Sequence, residues 1–328
     1  MSKVSLNMYV FAVYVGLVAA GYDMSESSSN KEMIEEIKNM DWDNRITDYY
    51  QWTKNSTCEV NPYWPRAFIL TLASLYVSDE NTIQYKDVDE VMNHINSLDQ
   101  IKLTSEKEEI EQRVKELPCI HNRVVKTPGF HGLWKAYCRR VKSEEPEYNR
   151  IIHQAMGLVR EAFDLKADKF PSLIFVPNSL QAPEIADFVT MKNRVYVIQS
   201  KPNAVAIVHE YLHQILGNKL DESADLIKRY TFLIEPVFEK MVKYQYAWDK
   251  DNDSWLNVFE ENFIRAASIW IINRNNKEAA IKKANKYAAD GFVYIPIILE
   301  NFMNRWKGLK ALDLFILECL NECKRSIN

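Results

Sequence analysis

Apolar positions recur at helical spacing over most of this chain. Leu6, Val10, Val13, Leu17 and Ala20 share a face near the start, and Ile110, Val114 and Leu117 form a second stripe. Tyr148, Ile151, Ala155, Leu158 and Ala162 line a third. Ser105 and Glu108 read as a capping box opening the second of these helices, with Pro118 as its end. The third is expected to start near Pro146. The period then changes. Residues 172–176 (SLIFV) are a short apolar run between Pro171 and Pro177, and 187–191 faces 194–198 across Lys192 and Asn193 as a hairpin. Beyond Pro202 the spacing is helical again to the last residue. The expected architecture is mainly α with some β (α+β): a helical N-terminal region over 1–147, then a second region over 148–328 holding a small antiparallel sheet and more helices.

Composition agrees with that picture. Only 8 of 328 residues are glycine, about 2% against a usual ~7%. An aromatic content of 12% excludes low-complexity disorder. A net charge of -4 argues against general nucleic-acid binding. The five cysteines, Cys58, Cys119, Cys138, Cys319 and Cys323, are an odd number. Cys319 and Cys323 lie one helical turn apart, which suits free thiols, so the count leans towards a reducing, cytoplasmic compartment. The N-terminus points the other way. Lys3 precedes an apolar stretch over 8–21, which reads either as the first core helix or as a signal peptide cleaved after Ala20. The stretch is shorter than the ~20 residues of a membrane span, so stable membrane insertion is not expected. The triplets beginning at Asn55 and Asn252 are glycosylation sequons.

The chemistry is concentrated in one helix. Pro202 and Asn203 start it, Gly217 is placed to end it, and inside stands His209-Glu210-Tyr211-Leu212-His213, an H-E-x-x-H motif. One turn apart on a helix, His209 and His213 reach a single ion, and Glu210, offset by about 100°, meets a water on that ion. Val205, Val208 and Leu212 form the stripe that buries the other side. A catalytic zinc needs a third protein ligand and an open position. No histidine follows His213, so the third ligand is a carboxylate, with Asp221, Glu222, Asp225, Glu235, Glu239, Glu260 and Glu261 among the choices. Over 253–272, Glu260 falls inside the apolar arc and Glu261 on its flank, so periodicity prefers Glu260.

H-E-x-x-H on one helix with a glutamate on a later one resembles the gluzincin group of zinc metallopeptidases, to which thermolysin-like enzymes belong. The stretches HEYLHQ, LIEPVFEKM, EENFIRAA and GFVYI are similar to an uncharacterised bacterial gluzincin-like group. The resemblance covers the chain from about Tyr148 onward. It implies a zincin-like domain over 148–328, a peptide or protein substrate, and Glu261 as third ligand, with Arg265 and Ala266 completing its E-x-x-x-R-A element. It also supports the core-helix reading of the N-terminal stretch. The exit at Gly217-Asn218 and the long spacing from His213 to Glu261 depart from the thermolysin-like pattern.

The expected mechanism has zinc held by His209, His213 and Glu261, Glu210 as general base, and Tyr294 as oxyanion donor. Arg265 is a candidate partner for Glu261 or another carboxylate, and the strand over 194–198 or its hairpin mate a candidate edge for an extended peptide. The alternative is a zincin-fold binding or scaffold protein without turnover. Cys119, His121, His131 and Cys138 match no common zinc spacing. Tyr244, Tyr246 and Trp248 read as packing or as a cleft wall.

Overall fold

The computed structural model describes residues 3–23, 30–54, 64, 66–79, 82–83, 91–92, 107–165, 172–183, 185–191, 194–244 and 246–327. Ser105, the hairpin turn at Lys192-Asn193, the Asn55 sequon and Cys58 lie outside them. The chain is mainly helical with a small mixed sheet, an α+β fold. It divides into two compact units, one of 1–149 with 172–202, the other of 150–171 with 203–328.

The first unit is built around helix α1 (Met8–Ala19). Asn7 caps it, its side chain accepting the Tyr9 and Val10 N–H groups at 3.0 Å each. Every residue from Tyr9 to Val18 is buried. Such a helix, apolar on all sides, needs neighbours all round. It has them in α2 (Lys31–Lys38), α3 (Asn44–Gln51), α4 (Ala67–Val77) and α5 (Lys107–Lys126). Gly16 faces the Tyr50 ring so closely that a Cβ there would collide with it. Among the described residues no helix is long and apolar enough to cross a membrane.

Two helices run through prolines expected to bound them. The helix α5 continues past Pro118, and α6 (Phe130–Phe163) starts well before Pro146 and carries it inside. A proline costs a helix interior about 3 kcal/mol and one backbone hydrogen bond. Buried residues on both sides of each offset that: Val114, Leu117 and Val124 in α5, Tyr137, Val141 and Tyr148 in α6.

The sheet is mixed rather than antiparallel. After the short strand β1 (Lys3–Val4) and a two-stranded ladder of β2 (Ser78–Asp79) and β3 (Thr82–Ile83) come β4 (Ser172–Pro177), β5 (Ala186–Met191) and β6 (Arg194–Gln199). The order is β1-β4-β6-β5. The expected hairpin forms, with Val189 opposite Tyr196, but β6 also pairs in parallel with β4, and β4 with β1. With partners on both sides, β6 offers no free edge. The hairpin mate β5 is the edge strand.

In the second unit α10 (Asn252–Ile272) is central. It packs against α7 (Ala204–Glu222), α8 (Ala224–Lys228), α11 (Lys277–Ala289) and α12 (Ile295–Arg305), with α9 (Phe238–Lys243) and α13 (Leu312–Ser326) completing the unit. Phe263, Trp270, Phe302, Trp306 and Phe315 form a continuous aromatic core with ring centroids 4.8 to 6.1 Å apart.

Candidate metal centre

The helix α7 forms where the sequence places its start. The Asn203 side chain accepts the Val205 N–H at 2.9 Å and the Ala206 N–H at 3.4 Å. Ile207, Val208, Tyr211, Leu212 and Leu216 are fully buried and fix the helix rotation, leaving His209, Glu210 and His213 on the remaining side. Val205, expected in the buried stripe, is instead exposed. Gly217 does not end the helix, which runs on to Glu222. Opposite lies α10, opened by Asp251, which accepts the Ser254 N–H at 2.7 Å. Glu261 on this helix is buried.

Three ligand-bearing side chains converge. His209 Nε2 and His213 Nε2 stand 3.3 Å apart. Glu261 Oε1 is 3.6 Å from the first and Glu261 Oε2 3.5 Å from the second. Tetrahedral zinc with bonds of about 2.0–2.2 Å holds its ligand atoms about 3.3–3.6 Å apart. The donor set, two imidazoles and one carboxylate, also suits zinc. Glu261 Oε1 is buried and ion-paired with the Arg265 guanidinium. His209, Glu210 and His213 likewise offer ligand atoms within 4.8 Å of one another, and Glu210 Oε1 lies 3.7 Å from His209 Nε2.

Electrostatics divide the two histidines. Burial pulls His209 down to about 3, with His213 and Arg265 adding to it against Glu261, so His209 is neutral and able to donate a lone pair. Burial also lowers His213, but hydrogen bonds to Glu260 and Glu261 outweigh it and hold the ring well above its ordinary value. The same ring therefore favours its protonated form, unlike His209. Burial would raise Glu261, yet Arg265, His209 and His213 keep it well below the carboxylate range. The Arg265 guanidinium contacts Glu261 Oε1 at 2.5 Å, as expected of a partner, and lies over the Phe292, Tyr287 and Tyr246 rings at 4.6, 5.0 and 5.9 Å.

Glu260 takes a different place. Its Oε1 accepts the Nδ1–H of His213 at 2.8 Å, on the ring nitrogen away from Glu261. Of the two adjacent glutamates, Glu261 is the one that meets both Nε2 atoms.

Tyr294 is not part of this cluster. It is fully buried, donates its hydroxyl to the Leu233 carbonyl at 2.6 Å, and packs edge-on against Trp255. The phenol beside the centre is Tyr246, whose oxygen accepts from Arg265 Nη2 at 3.1 Å. Burial raises its pKa, followed by the charge of Glu261, and Glu210 adds to the shift, so the hydroxyl keeps its proton. Its backbone is tied at both ends, by its N–H to the Met241 carbonyl and by Asn257 to its own carbonyl, both at 2.9 Å. The sequence signal for Tyr246 was only membership of an aromatic cluster. Cys119 is exposed, whereas His121 is fully buried and 2.9 Å from Ser74 Oγ, so these two do not form a ligand pair.

Comparison of the chain with known protein families, with curated proteins and with solved structures finds no match.

Proposed function

We propose that this protein is a zinc-dependent metallopeptidase of the gluzincin type, with a zincin-like domain in its C-terminal half and zinc held by His209, His213 and Glu261. The observation that carries the proposal is the convergence of the two Nε2 atoms, 3.3 Å apart, with the Glu261 carboxylate, whose Oε1 lies 3.6 Å from His209 and Oε2 3.5 Å from His213. These spacings suit a tetrahedral ion with bonds of about 2.0–2.2 Å. The peptide substrate rests on the resemblance of HEYLHQ and EENFIRAA to gluzincins, because zinc geometry alone serves other hydrolyses equally.

When bound, zinc would supply Lewis acidity and bring the pKa of a coordinated water down towards ~7. Glu210, beside the first histidine and half-exposed, takes the proton of the attacking water and returns it to the leaving amine. Tyr246 replaces Tyr294 as the donor to the developing oxyanion. Its hydroxyl is protonated, it lies among the charges of Glu210 and Glu261, and Arg265 polarises its oxygen. Arg265 holds Glu261 in orientation.

Metal analysis with a peptide-library assay tests this. Wild type and Glu210→Gln are expected to carry about one zinc per chain and His209→Ala and Glu261→Ala to carry none, with turnover in wild type alone. Turnover surviving in Glu210→Gln would remove the general-base role. A wild-type protein that takes up no zinc when supplied with it would remove the whole proposal.

A further inference from the structure

We infer that a cavity in the first unit, between β1 and α6, is a binding site for a free apolar amino acid of about the size of leucine. The inference is independent of the metal reading. Strand pairing continues past Val4, with the Ser5 N–H donating to the Phe175 carbonyl at 2.8 Å, so Val4 and Leu6 leave the chain on the same side. They form one wall. The other is a face of α6, where Cys138, Val141, Lys142 and Glu145 recur at helical spacing with Arg139 beside them. The cavity measures about 260 Å³. At ~30 Å³ for each water-sized group, that space holds about nine, close to the non-hydrogen atoms of leucine.

Charge decides the class of ligand. The apolar lining of Val4, Leu6 and Val141 suits a hydrocarbon side chain. The lining also carries both signs of charge, Arg139 and Lys142 against Glu145. Among the described residues none of these three has an ion-pair partner. A simple carboxylate would meet the two cations but also face Glu145, and a simple amine would meet the reverse. An α-amino acid satisfies both, its carboxylate with Arg139 or Lys142 and its ammonium with Glu145. Pro146, inside α6, adds to this. It has no N–H, so the Lys142 carbonyl four residues earlier lacks its usual helical donor. That oxygen suits an ammonium, which donates hydrogen bonds and accepts none. The proline that costs α6 a hydrogen bond thus frees an acceptor on the stretch of helix that lines the cavity.

Isothermal titration of the full chain with L-leucine, beside alkylation of Cys138 followed by mass spectrometry, tests the inference. Each of its analogues lacks one feature: 4-methylpentanoate the ammonium, 3-methylbutylamine the carboxylate, and glycine the side chain. Saturable binding of leucine is expected, with each analogue weaker by about 10-fold or more. Leucine should also slow the alkylation of Cys138, which lies in the cavity wall. Glu145→Gln should weaken leucine by about 10-fold and leave 4-methylpentanoate no weaker. Arg139→Gln combined with Lys142→Gln should weaken leucine and 4-methylpentanoate alike and spare 3-methylbutylamine. Circular dichroism checks that each variant is folded, and the analogue series on wild type is a test that needs no variant. The inference is overturned by no saturable binding of leucine up to about 10 mM, by glycine binding as tightly as leucine, or by a leucine affinity that Glu145→Gln leaves unchanged. Equal binding of leucine and 4-methylpentanoate would overturn it too, leaving a site for simple carboxylates.

Discussion

Replacing Arg265 by methionine separates the guanidinium that Glu261 meets from the zinc that the proposed function assigns to it. The guanidinium stands 2.5 Å from Glu261 Oε1, and Glu261 is buried. At an effective dielectric of about 20, a pair at that distance attracts by about 6–7 kcal/mol, set against the cost of taking both charges from water. Removing one member strands the other and typically costs about 3–5 kcal/mol. Methionine keeps most of the packing against Tyr287 and Phe292, so the loss is chiefly electrostatic. With chelator present, urea unfolding of Arg265→Met should therefore give a stability lower by about 3–5 kcal/mol. Zinc should return part of it, because the ion then supplies the missing positive charge. The rise in Tm on adding zinc is expected to be larger in the variant than in wild type. Two results would refute the reasoning: a metal-free loss below about 1 kcal/mol, the value of an exposed pair, or a zinc-induced shift no larger than that of wild type.

Tyr246→Phe should lower kcat by about 100-fold or more while keeping zinc, whereas Tyr294→Phe, which loses only the bond to Leu233, should cost about 1 kcal/mol of stability with no selective effect on kcat; steady-state kinetics beside metal analysis decides between them. Gly16→Ala drives a methyl group into the Tyr50 ring and should destabilise the first unit by about 1–3 kcal/mol in chemical denaturation. His121, fully buried against Ser74, is pulled down to about 3 by burial. Its folded value lies below the ordinary 6.5, so the unfolded chain binds the extra proton and stability is lost as the pH falls below about 6.5 towards 3, by as much as about 5 kcal/mol. Acid unfolding of His121→Gln should show a shallower loss across that window, and a profile identical to wild type would contradict it.

Several features set by neighbours along the chain were legible in the sequence, although Val205 is exposed and Gly217 does not end its helix. The cap at Asn203 and the H-E-x-x-H face of α7 are set by residues within one or two turns of each other, as is the hairpin of β5 and β6. Periodicity and capping report such short-range relations directly. Arg265 was accessible as a partner for Glu261, one turn away, but not as the partner of that carboxylate rather than another.

The tertiary structure decided what links distant residues. Lys3 pairs with Ile174 and Leu173 with Val195, making the sheet mixed, and no local pattern records which strand becomes the neighbour of which. The helices α5 and α6 continue through Pro118 and Pro146 because buried residues on both sides outweigh a local penalty of about 3 kcal/mol. Choosing between Glu260 and Glu261 turned on about 100° of rotation and on where α7 lies, which an apolar arc on α10 alone cannot give. Tyr246 and Tyr294 are the same residue type in similar aromatic company. Only the packing of α10 and the loop before it sets one phenol beside Arg265 and leaves the other bonded to a backbone carbonyl in the core. The sequence thus carried the chemistry that one helix can hold by itself, while the partners of that chemistry arrive from other elements, and their positions are set by long-range packing.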